Sequence, residues 1–224
     1  MIEDRTRALV PLMLALSATT GLVDAASVLG MGKVFTANMT GNIVFLGFGL
    51  AGAPDYSVLP ALAALAFFVI GAAAGGGIGA WLGMERLRGW IVAAGLVEAG
   101  LLAAAAGFAS GYDEAALHPV SSRYAMIALT ALAMGARNAT VRQMKVADLT
   151  TTVLTLTIAG LAADSHFAGG GNPNWLRRIA AILSILAGAA VGAWMLMRYG
   201  IGAPLLLAAA IALVASLTTA SRLK

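Results

Sequence analysis

Apolar residues run along the chain in eight segments, at about 8–29, 37–53, 58–83, 89–110, 122–141, 149–163, 175–198 and 202–220. Proline marks the joins at Pro54, Pro60, Pro119, Pro173 and Pro204, where a loop or a helix start tolerates it. Segments two and six are the shortest, and both open on polar residues. The pattern predicts an all-α protein whose long segments are helices and whose two short segments are half-helices.

The interruptions form a related pair. The first, Gly21 to Gly49, reads GLVDAASVLGMGKVFTANMTGNIVFLGFG; the second, Gly135 to Asp164, reads GARNATVRQMKVADLTTTVLTLTIAGLAAD. Gly21 matches Gly135, Asp24 matches Asn138, and Ala25 matches Ala139. After a two-residue slip, Lys33-Val34 matches Lys145-Val146. The polar run Asn38-Met39-Thr40 then matches Thr150-Thr151-Thr152. Further on, Gly75, Gly79, Ala80 and Trp81 match Gly188, Gly192, Ala193 and Trp194 at an offset of 113. The chain therefore divides into two repeat halves, 1–111 and 112–224.

Composition supplies the surroundings. Of the 224 residues 60% are hydrophobic and 11% charged, with a mean hydropathy of +0.89, against about 25% charged residues in a soluble domain. A span needs about 20 apolar residues, so the lipid bilayer is the expected partner. Backbone-breaking polar sequence at membrane depth must face protein or water, because lipid cannot satisfy it. The net charge of +4 comes from residues at segment ends that form no patch, which excludes nucleic acid as a partner. Without cysteine, disulfides and thiol chemistry are excluded. The two histidines, His118 and His166, sit in connecting loops, and no cofactor or metal is expected.

Basic residues choose the topology. If all eight segments cross, seven of the fourteen Lys and Arg fall on each side. If segments two and six re-enter, six helices cross and eleven basic residues lie inside, with only Lys33, Arg123 and Arg198 outside. The second distribution satisfies the positive-inside rule. It gives three crossings per half, hence a 3+3 inverted repeat with both termini cytoplasmic; eight spans is the alternative. The apolar run near the N-terminus heads the first repeat, and it is expected to be a retained helix rather than a signal peptide.

In an inverted repeat the two short helices approach from opposite faces and can meet near the midplane, their N-terminal dipole ends toward one cavity. Such a site suits a small, anionic solute. Its candidate binding residues are Asn38, Thr40, Asn42, Thr150, Thr151, Thr152, Asn138 and Arg137; the plainer alternative is that they cap helices and cross-link neighbours. Acids in apolar segments cost about 2.5–3.5 kcal/mol on insertion scales and tend to be functional. Asp24, Asp148 and Glu98 are therefore proton-coupling candidates. The structural alternative pairs Asp24 with Lys33, and Asp148 with Arg142 or Lys145. Gly71, Gly75, Gly79 and Gly83, echoed by Ser184, Gly188 and Gly192, predict a small-residue ridge for close helix contact, within the chain or in a homodimer. A leucine at Gly170, in a loop, is expected to be mild. Asp164-Ser165-His166 is no hydrolase triad, since that constellation is assembled in space, and no enzyme is expected.

The two quoted motifs closely resemble the YoaK-like family of bacterial membrane proteins, and the resemblance covers essentially the whole chain. It implies a multi-span protein of the bacterial inner membrane and supplies no substrate. From the residues, the leading expectation is a small transporter, proton-coupled through one of the acids. A passive channel and a scaffold with no solute path are the alternatives.

Overall fold

A computed structural model describes residues 2–144, 154–172 and 174–223. Among these residues it contains eight α-helices: α1 (Ile2–Gly30), α2 (Met39–Leu50), α3 (Val58–Leu82), α4 (Leu87–Gly107), α5 (Val120–Met144), α6 (Leu154–Ala163), α7 (Trp175–Tyr199) and α8 (Gly202–Arg222). Five of them, α1, α3, α4, α7 and α8, are long and apolar enough to cross a membrane. α5 is as long but less apolar, because it carries Arg123, Arg137 and Arg142. Outward-facing Trp81, Val69, Leu183, Leu186, Trp194 and Leu206 are exposed on the long helices, as expected of faces turned to lipid. This is an all-α, multi-pass membrane protein.

Proline and glycine set the ends as their backbones dictate. Pro60 and Pro204 stand in the first turns of α3 and α8, where no intrahelical N–H is needed. Gly83 and Gly200 close α3 and α7 at φ of 64° and 79°, their amides returning to Gly79 and Leu196 at 2.9 Å each. Positive φ is the glycine conformation at a helix end. Gly83 is thus a cap facing open space, not the fourth member of the ridge.

The rest of the ridge lies inside the chain. A Cβ on Gly188 would strike the backbone of Ala18, and one on Gly192 would meet Leu22 and Ala25. Equivalent collisions join Gly71 to Leu132 and Gly75 to Ala136, while Gly21 abuts Ile185 and Ala189, and Gly135 abuts Phe68 and Ala72. Contact order rises together on both members of each pair, so α1 runs parallel to α7 and α5 runs parallel to α3. The glycines let backbones approach closely enough for extensive van der Waals contact.

α7 begins and ends 117 residues after α3 (58 to 175, 82 to 199), four more than the offset of 113 at which their glycines match in sequence.

α1 is central, with 67% of its apolar span buried against 17% for α7. At one end of the bundle the loops are tied together. The Tyr112 hydroxyl donates to the Gly30 carbonyl (3.0 Å), Arg123 Nε donates to the Met31 carbonyl (2.8 Å), and the Ile201 amide donates to Glu114 (2.9 Å). Burial pushes the Tyr112 phenol above its ordinary range, so it remains a protonated donor at neutral pH. At the same end Lys33 Nζ meets Asp55 Oδ2 at 3.2 Å. Residues 33 and 55 flank α2, so the chain enters and leaves this helix on one side. Twelve residues span about 18 Å, short of the roughly 30 Å hydrocarbon core.

Candidate functional site

After α1 the chain turns back along its own helix before α2 begins. Asn42 fixes that descent: its Oδ1 accepts from the Phe35 amide at 2.9 Å and its Nδ2 donates to the Phe35 carbonyl at 2.5 Å. Both backbone groups would otherwise lie unsatisfied next to a buried side chain. Asn38 then caps α2, its Oδ1 accepting from the Gly41 amide at 3.4 Å. Gly41 has no Cβ because the Phe35 ring lies against it. That ring stacks on Phe45 with centroids 5.6 Å apart.

The result is a cavity of about 510 Å³. α1 contributes Thr20 and Asp24, one turn apart; the descent and α2 contribute Phe35, Asn38, Thr40, Gly41, Val44 and Phe45. α6 adds Leu154 and Thr155, and α7 adds Ile185. Residues of both short helices therefore line one space. Asp24 Oδ1 is buried and accepts no hydrogen bond, while the Ala37 amide and the Arg137 guanidinium act on the carboxylate. α6 is held at its other end by Asp164, whose Oδ2 lies 2.7 Å from Arg178 Nη1.

Behind Thr20 the interior closes on a buried ion pair. Arg137 Nη2 bonds Glu98 Oε1, and Nη1 donates to the Leu16 carbonyl (2.9 Å) and to Thr20 Oγ1 (2.8 Å). Both partners are nearly inaccessible, their side chains 1% and 6% exposed. On the far side of the pair is a small void of about 20 Å³ between α1, α4, α5 and α8. Thr20 thus joins the polar cavity to the pair, which itself does not line that cavity. A separate pocket of about 410 Å³ at the tied end is lined by Lys33, Asp55, Tyr56 and Arg123 among others.

Residues 12–218 match the family described as "Protein of unknown function (DUF1275)". The chain belongs to this family. It is also 33% identical over 157 residues to "UPF0700 transmembrane protein YoaK" of Bacillus subtilis (strain 168), a match spanning 68% of this chain and 65% of that protein. Less than two thirds of the Bacillus protein is therefore covered. No solved structure matches the chain. The resemblance to a YoaK-like membrane family is confirmed, and the transmembrane relative, with the long apolar helices, supports the multi-pass architecture.

Within this DUF1275 member the structure gathers some sequence candidates and separates others. Asn38, Thr40 and Asp24 meet at the cavity. Asn42 is occupied by the Phe35 backbone, and Arg137 and Glu98 hold each other. Lys33 pairs with Asp55, so it is not the partner of Asp24. Asn138 donates to the Met134 carbonyl at 2.8 Å and has a further interaction. Asp148, Thr150, Thr151 and Thr152 lie outside the described residues, as does Lys145.

Thr20, Phe35, Phe45, Thr155 and Ile185 were not singled out by sequence. Thr20 was within reach, since four residues before Asp24 places it on the same helix face. Ile185 carried no signal, because an apolar wall residue looks like any lipid-facing one.

Proposed function

We propose that the chain is a small transporter of the bacterial inner membrane whose solute site is the cavity shared by α2 and α6. In this reading six helices cross and α2 and α6 re-enter. The halves 1–111 and 112–224 are inverted repeats, and both termini are cytoplasmic. The pairs α1/α7 and α3/α5 support the repeat, because equivalent halves exchange them, and the placement of both flanks of α2 at one end supports its re-entry.

The observation that carries the proposal is the convergence of the two short helices on one polar cavity beside a buried carboxylate. The start of α2 offers unpaired N–H groups and a positive dipole end there. Discontinuous helices in a bilayer are tolerated where they line such a space. The buried Arg137–Glu98 pair, with Leu12 and Leu16 beside it, fills the route onward from Thr20. That plug favours alternating access over a passive channel. Asp24 is the coupling acid: it faces the cavity, whereas Glu98 is committed to Arg137.

A thermal-stability screen of purified protein against small solutes, followed by uptake into proteoliposomes, is the test. Solutes that stabilise the wild type should lose their effect in Thr40→Val and Thr155→Val while both variants remain folded. Uptake should respond to a pH gradient and lose that response in Asp24→Asn. Stabilisation untouched by both threonine changes would move the site elsewhere.

A further inference from the structure

Three charges occupy the interior where α1, α4 and α5 meet: Glu98, Arg137 and Asp24. The first two form a contact ion pair. Arg137 also donates Nη1 to the Leu16 carbonyl and Thr20, and it acts on Asp24 only through space. Asp24 thus makes no contact ion pair among the described residues, its Oδ1 buried and unbonded. The other described lining groups are hydroxyls, one side-chain amide, aromatic rings and aliphatic chains, with no basic side chain among them. Lys33, the nearest cation in sequence, is drawn off to Asp55 and the Tyr56 ring, 5.3 Å from its centroid.

A lone carboxylate within a membrane span is expensive. It is relieved either by a proton or by a cation. We propose that the cavity binds a small amine-bearing cation with a flat or apolar body, its ammonium on Asp24 and its body against Phe35, Phe45 and Ile185. This rests on the solute-site reading above and fixes its chemical class. An ammonium supplies a countercharge at the cavity face of the carboxylate. The stacked Phe35–Phe45 pair offers ring faces that attract cations. Val44 and Ile185 close the apolar side. An anion would meet the Asp24 charge with no basic partner among the described lining residues, and the dipole ends of short helices are only partial charges.

A proton and an ammonium cannot both occupy one carboxylate, so the two compete. The facing groups from the packed elements are Arg137 on α5 and, through it, Glu98 on α4. α2, α6 and α7 add no titratable group to the described lining. Amine affinity should therefore fall as pH drops and Asp24 is protonated, which couples amine movement to protons by exclusion.

Benzylamine, benzoate and benzyl alcohol share a ring and differ in charge, and they are the probes. At neutral pH benzylamine should raise the melting temperature of purified protein, with benzoate inert and benzyl alcohol weak. Asp24→Asn should weaken benzylamine binding at least about tenfold, the loss of a charge-assisted contact, and Asp24→Glu should recover part of it. If Asp24→Asn does not fold, carbodiimide modification of Asp24 in the wild type, located by mass spectrometry, should be slowed by benzylamine and not by benzoate. Preference for benzoate, no response to any probe, or benzylamine protection that ignores Asp24 overturns the assignment. Benzylamine binding without uptake into proteoliposomes would leave the site standing and remove transport. Uptake of an anion without benzylamine binding would do the reverse.

Discussion

Asn42 shows how a single side chain can position a site without entering it. Its two bonds to Phe35 hold the descent in place, and Phe35 in turn forms a cavity wall. Asn42→Ala should cost about 1–3 kcal/mol for each backbone group left buried and unpaired, read as a lower melting temperature in detergent. Arg137 and Glu98 behave as a unit. Arg137→Ala strands a buried carboxylate and should destabilise by about 3–5 kcal/mol, whereas the double change Arg137→Leu with Glu98→Leu should cost less than the single one. A double variant worse than Arg137→Ala would mean that the pair does more than neutralise itself. At this scale the sequence marked the polar residues but could not sort them. Asn38, Asn42 and Arg137 differ in where their partners lie, and a partner such as Glu98, 39 positions away, leaves no local trace.

Among the elements, the two parallel pairs hold the bundle together through glycine. Gly75→Leu and Gly188→Leu would drive side chains into the Ala136 and Ala18 backbones, where overpacking costs about 1–3 kcal/mol or more. Gly171 has open space around it, so Gly171→Leu is the mild control. Gly170 is not, despite its loop position, since a Cβ there would meet the Asp164 backbone. Equal melting temperatures for all three variants would remove the glycine seams from the account. Segment bounds were legible to within a few residues because apolar runs and proline joins mark them directly. Which helices the glycines join was not, since a comb of small residues repeats every turn and only contacts show what each one meets.

For the whole molecule, segment length and hydropathy carried the all-α, multi-pass architecture. Alternation of basic residues between segment ends pointed to short segments that turn back, and the contact between Lys33 and Asp55 agrees for α2. The chain lacks native thiols, so single cysteines report sidedness cleanly. Ser57→Cys should label from outside the cell and Arg88→Cys only from the cytoplasm; labelling of Ser57→Cys from the cytoplasm would restore eight crossings. The cavity itself was legible only as a tendency of two half-helices to meet. Its aromatic wall and the neutralised arginine depend on three-dimensional packing.

Water in the shared cavity is the most direct test of the site. Thr40→Cys and Thr155→Cys, one on each short helix and both lining the cavity, should react in native membranes with a charged methanethiosulfonate reagent. Ile158→Cys, on the apolar exposed face of α6, should not. Reaction at both threonine positions, slowed by any solute that stabilises the protein, is the predicted result. Two unreactive threonine positions in a folded protein would contradict it, leaving a dry bundle with no solute path.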